Sequence, residues 1–599
     1  QLSAANVLNR EQPLAGISLQ QATVNIDPSA SISASPTLLG LQGNHAELVT
    51  VIFNRSAAAS SDWIAVFSPA KFNASLCVES DDLEDAPFFC NAPIKYQFAN
   101  FTSADYEISG RGMLHLRLIN QRADFSFAYF SGGITSPVLL AISEPIRFWN
   151  PKAPLYPRLA LGRSWNEMVV TWTSGYGIHE AIPIVRWGTE EFKIENHVSA
   201  GTLTYERHDM CGPPALTVGW RDPGFTHSSY LSDLWPNVKY YYKVGHKLVN
   251  GTYDWSKEQT FKGPPYPGQS SLQRIIVFGD LGKAERDLSN EYSNYQPGSL
   301  NTTDRLIEDL ANIDAIFHIG DLSYANGYLS QWDQFTELVE PLSSQVPYMV
   351  ASGNHERDWP NSGSFYKTKD SGGECGAVTE TMFYVPSKNR AKFWYSADYG
   401  LFHFCIADSE HDWRPGTEQY RFIEECLSGA DRRKQPWLIF IAHRVLGYSS
   451  SPGYASEGTF AEPFGRDSLQ QLWQKYKVDL AFYGHVHNYE RTCPVYEGEC
   501  VSEEKNFFSG RFNATIHLVV GGGGSHLVNF SSPRPDWSVF QDKDFGFVKL
   551  TAYNSSGLLL EYKKSSDGKV YDQLWISRRY KDILGCDSLN NCPETTWAT

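Results

Sequence analysis

The chain lacks several features that would each have fixed its class. No run of about 20 apolar residues occurs, so no helix of this sequence is expected to span a bilayer. Gln1 opens directly on mixed sequence, without a charged leader and an apolar stretch, so a signal peptide is expected to have been removed already. Methionine is scarce, at 5 of 599 residues, while aromatics reach 14%, a balance that leans towards strands. Basic residues are outnumbered, 51 Lys and Arg against 67 Asp and Glu, for a net charge of −16. That excess argues against nucleic acid and anionic membranes as general partners. An anionic substrate must then be drawn in by local cations. None of the close cysteine pairs is a CxxC metal motif, and no repeat of fixed period is visible.

Ten cysteines are present. Cys77/Cys90, Cys493/Cys500 and Cys586/Cys592 form three close pairs able to bridge. Cys211, Cys375, Cys405 and Cys426 have no partner assignable from sequence. Cys405, inside the apolar FHFC stretch, reads as a buried free thiol. Eight N-glycosylation sequons begin at Asn54, Asn73, Asn100, Asn250, Asn301, Asn513, Asn529 and Asn554. Their spread along the chain favours the secretory route and predicts N-glycans on the surface.

A length of 599 residues exceeds what one core supports, and three domains are expected. Residues 1–150 read as short strands, with LVTVIF (48–53), GMLHLRLIN (112–120) and FSFAYF (125–130) carrying the pattern of half-buried sheet. Residues 151–267 repeat the theme in RLALG (158–162), MVVTWTS (168–174), IVRWG (184–188) and YYYKVG (240–245). Both regions are predicted to be β-sandwiches. The first holds no cluster of His, Asp or Cys, which suits an accessory module. GPPYPGQS (263–270) reads as a linker. From 268 to 565 strands alternate with helices: RIIVFGD (274–280), TDRLIEDLANI (303–313), AIFHIGD (315–321), QWDQFTELVEPL (331–342), VPYMVASGNHE (346–356), EQYRFIEECLSG (418–429), WLIFIAH (437–443), SLQQLWQKYK (468–477) and VDLAFYGHVH (478–487). This predicts an α/β layered domain. Residues 566–599 are expected to pack on it.

Each of those apolar strands ends in a side chain able to hold a metal. Asp280 closes VFGD, Asp321 closes HIGD with Tyr324 just after, and Asn354 and His355 follow VASG. His443 ends FIAH, and His485 and His487 lie in GHVH. Strands of α/β sheets deliver ligands at their carboxyl ends, so residues about two hundred positions apart can converge. Gly279, Gly320, Gly353 and Gly484 sit immediately before or beside them and allow sharp turns. The alternation in GHVH is expected to aim the two imidazoles in different directions, so as to serve two ions. Carboxylates, an amide oxygen and imidazoles, with no thiolate, suit iron, zinc or manganese. Two such ions would form a phosphoester-hydrolysing clamp.

GDLG, GDLSYANGY, GNHE, a histidine after an apolar strand and GHVHNYER together resemble the five signature blocks of the purple acid phosphatases, a branch of the calcineurin-like metallophosphoesterases. The likeness is close over roughly 275–495. The fold it implies is an immunoglobulin-like sandwich, a fibronectin III-like sandwich and a calcineurin-like catalytic domain. The chain's length and extra N-terminal sandwich resemble the large plant type, and within that type it looks most like the diphosphonucleotide phosphatase/phosphodiesterases. That resemblance implies ferric iron on Asp280, Tyr324 and His487, a bridge through Asp321, and divalent zinc or manganese on Asn354, His443 and His485. It implies hydrolysis of phosphate esters, anhydrides or diesters, nucleotides included, at acidic pH by a metal-activated hydroxide. It also implies a secreted glycoprotein of the cell wall or apoplast. His355 is expected to bind the phosphoryl group or protonate the leaving group, alongside Asn354 as a substrate contact. Smaller plant relatives place two histidines in the loop after the AH block. Here that loop is SSSPGYASEG (450–459), with Tyr454 near the position, which leaves His355 or solvent as the acid.

Two motifs invite other readings. GGGGS (521–525) lacks the Lys–Ser/Thr of a nucleotide P-loop and reads as a tight turn against the metal-site sheet. Arg357, Arg444 and Arg491 are expected to form ion pairs rather than to contact phosphate. A colourless di-manganese phosphodiesterase is one competing function. A secreted adhesion or assembly protein with a vestigial phosphatase domain, homo-oligomeric or not, is another.

Overall fold

A computed structural model describes residues 22–70, 88–89, 91–133, 136–191, 196–291, 296–451, 465–510 and 513–578. The first region builds two sheets around a core of Val49, Val51, Phe53, Leu114, Leu116, Phe127 and Tyr129. One face is a three-stranded antiparallel sheet of Ser31–Ser35, Ala46–Asn54 and Arg111–Ile119. Its alternating buried and exposed residues give the period-two pattern of a one-sided sheet. The opposite sheet centres on Trp63–Phe67 and Ser126–Ser131, both buried on each face. Its outermost strand is supplied from much later in the chain, by Asn290–Glu291, antiparallel to Lys95–Phe98.

The second region is a sandwich of Leu155–Leu161, Met168–Ser174, Gly201–Leu203 and Phe225–Leu231 facing Ala181–Gly188, Asn196–Ser199, Lys239–Leu248, Tyr253–Trp255 and Gln259–Lys262. Trp172 lies fully buried between the layers. A polar knot sits beside it: Ser174 Oγ lies 2.8 Å from His227 Nε2 and 3.3 Å from His246 Nε2. Burial first, and then His246, pushes His227 down to about 3, and burial pushes His246 down to about 4. The unfolded chain accepts a proton on each below pH 6.5, which the folded chain refuses until these lower values. Stability is therefore intact above pH 6.5 and falls as pH drops towards 4, by about 1.4 kcal/mol per pH unit for each ring. His246→Gln is expected to flatten this slope, read from denaturant midpoints at pH 6.5 and 4.5. An unchanged slope would contradict a neutral buried His246.

The third region has two sheets rather than one. The first carries Tyr348–Ala351, Ala315–Ile319 and Gln273–Phe278 as parallel neighbours, then Gly546–Asn554, Gly557–Lys564 and Val570–Ser577 antiparallel. The second runs parallel through Phe402–Ile406, Trp437–Ala442, Leu480–Tyr483 and Thr515–Val520. Their apolar faces share one core, from Ile275 and Phe317 to Phe404 and Leu518. Helices Gly298–Glu308 and Ser330–Ser343 pack into that core through Leu306, Trp332 and Phe335. Helices Glu418–Gly429 and Gly465–Tyr476 cover the other sheet through Ile423 and Leu469. The chain is thus multidomain, two all-β sandwiches followed by an α/β layered domain. No described helix is long and apolar enough to cross a membrane.

The first region is docked on the third through buried charge. Arg122 forks onto Asp333 with two 2.9 Å bonds, and Lys95 Nζ lies 2.6 Å from Asp287 Oδ2. Three disulfides are described: Cys211–Cys375, Cys405–Cys426 and Cys493–Cys500. Cys405 is therefore not a free thiol. Its strand neighbours helix Glu418–Gly429, which presents Cys426, a pairing between strand and helix that spacing alone did not reveal. His403 lies beside this bridge, but both sulfurs are consumed, so the trio offers no metal site. Cys77, Cys90, Cys586 and Cys592 lie outside the described residues.

Candidate metal centre

Each loop at the centre begins where an apolar strand stops. The strands Gln273–Phe278, Ala315–Ile319 and Tyr348–Ala351 deliver Asp280, Asp321 and Asn354 from one sheet. Trp437–Ala442 and Leu480–Tyr483 deliver His443, His485 and His487 from the other. The backbones come close enough that a Cβ on Gly320 would lie 2.4 Å from His443 Nδ1, and one on Gly353 would lie 2.2 Å from Asp321 Oδ1. Only glycine fits either position. The run Gly521–Gly524 after strand Thr515–Val520 is a turn pressed on the first metal loop, since a Cβ on Gly523 would meet Gly279 O at 2.2 Å.

The seven expected ligands converge: five form two triads with one member in common, and Tyr324 and Asn354 each join one side. Asp280, Asp321 and His487 form one; Asp321, His443 and His485 form the other, each with ligand atoms within 4.8 Å. On the first side, Tyr324 Oη lies 3.1 Å from Asp280 Oδ1 and 2.9 Å from His487 Nε2, which is itself 3.0 Å from Asp280 Oδ1. On the second, Asn354 Oδ1 lies 3.0 Å from His443 Nε2 and 2.9 Å from His485 Nδ1. Asp321 Oδ1 sits 3.3 Å from His443 Nε2. His485 and His487 do serve different sides, but not by strand alternation. The strand ends at Tyr483, and His485 takes φ of 64°.

Four of these donors adopt left-handed backbone, at φ of 61° for Asp280, 51° for Asp321, 51° for Tyr324 and 64° for His485. Such conformations cost about 1–3 kcal/mol each in non-glycine residues and gather at functional sites. The electrostatics point the same way. Burial opposes a charged carboxylate, yet His443 and His355 hold Asp321 well below the usual range. Burial likewise opposes protonation of His443, but Asp321 and Asp280 lift it to about 10. Burial and the same two carboxylates push the Tyr324 phenol well up. Protons on these rings stand where cations would. The donor set, anionic and almost sealed from water, therefore fits a pair of metal ions.

Surrounding residues fix the donors' orientation. His443 Nδ1 bonds to Ile319 O at 2.9 Å, and His487 Nδ1 to His526 O at 2.8 Å, so each presents Nε2 inwards. Asn354 Nδ2 donates to Asp370 Oδ2 at 3.0 Å, which turns its oxygen to the site. Glu356 accepts the backbone N–H groups of Asp321, Leu322 and Gly353, at 2.8–3.0 Å, and so ties two metal loops together. His355 Nδ1 lies 2.7 Å from Asn326 Oδ1, and its Nε2 lies 3.9 Å from Asp321 Oδ2. The three arginines are committed as expected: Arg357 to Glu380, Arg491 to Asp572, and Arg444 to Asp358 and Glu410. Arg444 Nη1 also lies 3.3 Å from His485 Nε2. Tyr454 falls outside the described residues.

Sequence reasoning missed Asn326, Glu356, Asp370 and His526. Glu356 had a signal: a glycine followed three residues later by glutamate opens the helical turn Asn354–Arg357. Asp370 and His526 had none, because their partners are distant in sequence.

Four family profiles match successive parts of the chain. They are the Fn3-like domain from purple acid phosphatase over 32–150, the purple acid phosphatase N-terminal domain over 154–263, calcineurin-like phosphoesterase over 273–489, and the iron/zinc purple acid phosphatase-like protein C over 514–573. A relative in Arabidopsis thaliana named probable inactive purple acid phosphatase 27 is 61% identical over 98% of this chain and 96% of its own length. A nucleotide pyrophosphatase/phosphodiesterase of Hordeum vulgare is 65% identical over 58% of this chain and 95% of its own. The solved structure of purple acid phosphatase PPD1 from yellow lupin (Lupinus luteus) seeds is similar at a TM-score of 0.90 and 61% identity, over 96% of this chain and 100% of that one.

Proposed function

Because the chain belongs to the purple acid phosphatase family, we propose that it hydrolyses phosphate anhydrides, diesters or esters, nucleotides among them, at acidic pH. The observation that carries this is the pair of donor triads sharing Asp321. In this reading Asp280, Tyr324 and His487 would hold ferric iron, Asn354, His443 and His485 would hold zinc or manganese, and Asp321 would be a ligand on both sides. When bound, such ions would supply Lewis acidity and a water acidic enough to ionise below neutral pH. Asn354 and His355 face the substrate, with Tyr454 a further contact. With Nδ1 held by Asn326, His355 keeps Nε2 for a phosphoryl oxygen or for the leaving group's proton. The name of the Hordeum vulgare relative supports nucleotide-type substrates.

The domain limits proposed are 1–150, 151–267 and 268–565, with 566–599 joining the third through strand Val570–Ser577. Export with N-glycans is supported by three described disulfides and by the surface placement of the sequons. Asn54, Asn250, Asn301, Asn513, Asn529 and Asn554 are exposed and Asn100 is half-buried, while Asn73 lies outside the described residues.

Metal analysis, visible absorption and a substrate panel on one preparation test the reading. One iron and one zinc or manganese per chain, a phenolate-to-iron colour lost in Tyr324→Phe, and turnover at mildly acidic pH are expected. Two manganese ions without colour would establish the di-manganese phosphodiesterase instead. A metal-free, inert protein would leave the vestigial reading, which the word inactive in the Arabidopsis relative's name keeps in play. In the same assay, His355→Ala is expected to slow an alkyl ester by about 10²-fold and an aryl ester far less. Unchanged kcat on the alkyl ester removes the acid role.

A further inference from the structure

A cavity of 480 Å3, lined by none of the metal ligands, opens where the two sandwiches meet helix Ser330–Ser343. A second depression of 390 Å3 adjoins it, and the two share Phe148 and Trp149. Phe148 is buried, but Trp149 is 68% exposed, so its ring stands as a ridge between the two hollows. A large exposed aromatic at a cleft is a recognition feature rather than core.

The polar lining is rich in uncommitted groups. Asp254 uses Oδ2 for Asn150 at 2.7 Å and Tyr176 at 3.1 Å, and Glu340 uses Oε2 for His45 at 3.1 Å. Their second oxygens have no protein partner among the described residues. The amides of Gln42, Asn44 and Gln259 line the same cavity. With Arg122 neutralised by Asp333, Lys257 and Arg147 face Asp254, Glu340 and Asp124, so the two hollows hold more carboxylates than cations. Phosphorylated or uronic-acid ligands find no excess of cations here, and Arg122 is already spent on Asp333.

We propose that this cleft binds a neutral oligosaccharide that crosses Trp149. A pyranose presents a flat face of C–H groups, which packs on an indole ring, and a rim of hydroxyls, which needs amides and carboxylates as partners. Two hollows on either side of one ring suit an extended chain better than a single sugar. Inter-domain clefts with few convergent polar groups are common ligand sites.

Affinity electrophoresis of the whole protein in gels holding soluble neutral glucan, xylan or mannan tests this, with polygalacturonate as the acidic comparison. At least one neutral polymer is expected to retard the protein. Trp149→Ala should weaken that retardation at least tenfold, Trp149→Phe should retain most of it, and thermal stability and phosphoesterase activity should not move. Isothermal titration with the matching hexasaccharide should give the same order. Retardation by polygalacturonate alone, no retardation by any neutral polymer, or equal retardation of Trp149→Ala would each overturn the proposal.

Discussion

Asp321→Ala is expected to lose both metal ions together and to cut kcat/KM by more than about 10³-fold, the scale on which removing one group that stabilises a transition state operates. The reason is geometric. Asp321 is the only residue in both donor triads, and its oxygens face His443 on one side and His355 on the other. Removing it leaves four imidazoles and one remaining carboxylate, Asp280, around a space meant for several positive charges. Ions on either side would then be held by fewer donors and would repel each other without an intervening anion. Asp280→Ala makes the informative comparison, since Asp280 belongs to one triad alone. It should empty the side it shares with Tyr324 and His487 while leaving part of the metal on the other. Metal counted per chain after desalting, alongside turnover of an aryl phosphate, separates the two variants. Equal metal loss in both would mean that Asp321 holds no special position between the ions.

Asp333→Ala should destabilise the protein by about 3–5 kcal/mol, the cost of stranding a buried partner. Arg122 and Asp333 have side chains only 6% and 4% exposed and are joined by two parallel bonds. The pair crosses from the first sandwich to helix Ser330–Ser343, so the penalty falls on the docking of one region against another. Arg122→Ala with Asp333→Ala should recover much of the loss, because no charge is then left without a counterpart. The measurement is the denaturant midpoint of the three variants. A double variant as unstable as the sum of the singles would show that the two residues act apart. The surface pair Lys152–Glu180, roughly half exposed on both sides, is a useful contrast, and its removal should cost less than about 1 kcal/mol.

Much of this arrangement was readable from the sequence, for physical reasons. Met168–Ser174 and Glu418–Gly429 were readable to the residue, because β-branched runs and 3.6-residue spacing are local signals. The metal ligands were legible because each must sit just past a buried strand, and strands announce themselves. Helix Gly298–Glu308 starts well before the expected Thr303, behind a proline and glycine that carry little helix signal. Cys405–Cys426, Asp370 against Asn354, and the left-handed turns at Asp321 and Tyr324 were not legible. Each depends on contacts between distant segments or on strain imposed by them, and neither leaves a trace in local composition.

The strand Asn290–Glu291 closes the edge of a sheet whose other members precede residue 143. During synthesis, that edge stays open until about half of the 599 residues have left the ribosome. Lys95–Phe98 meanwhile presents unpaired backbone groups to any passing strand, the usual starting point for mispairing. Maturation of the first sandwich therefore waits on the segment that follows Asp280, and the order of assembly runs against the order of translation.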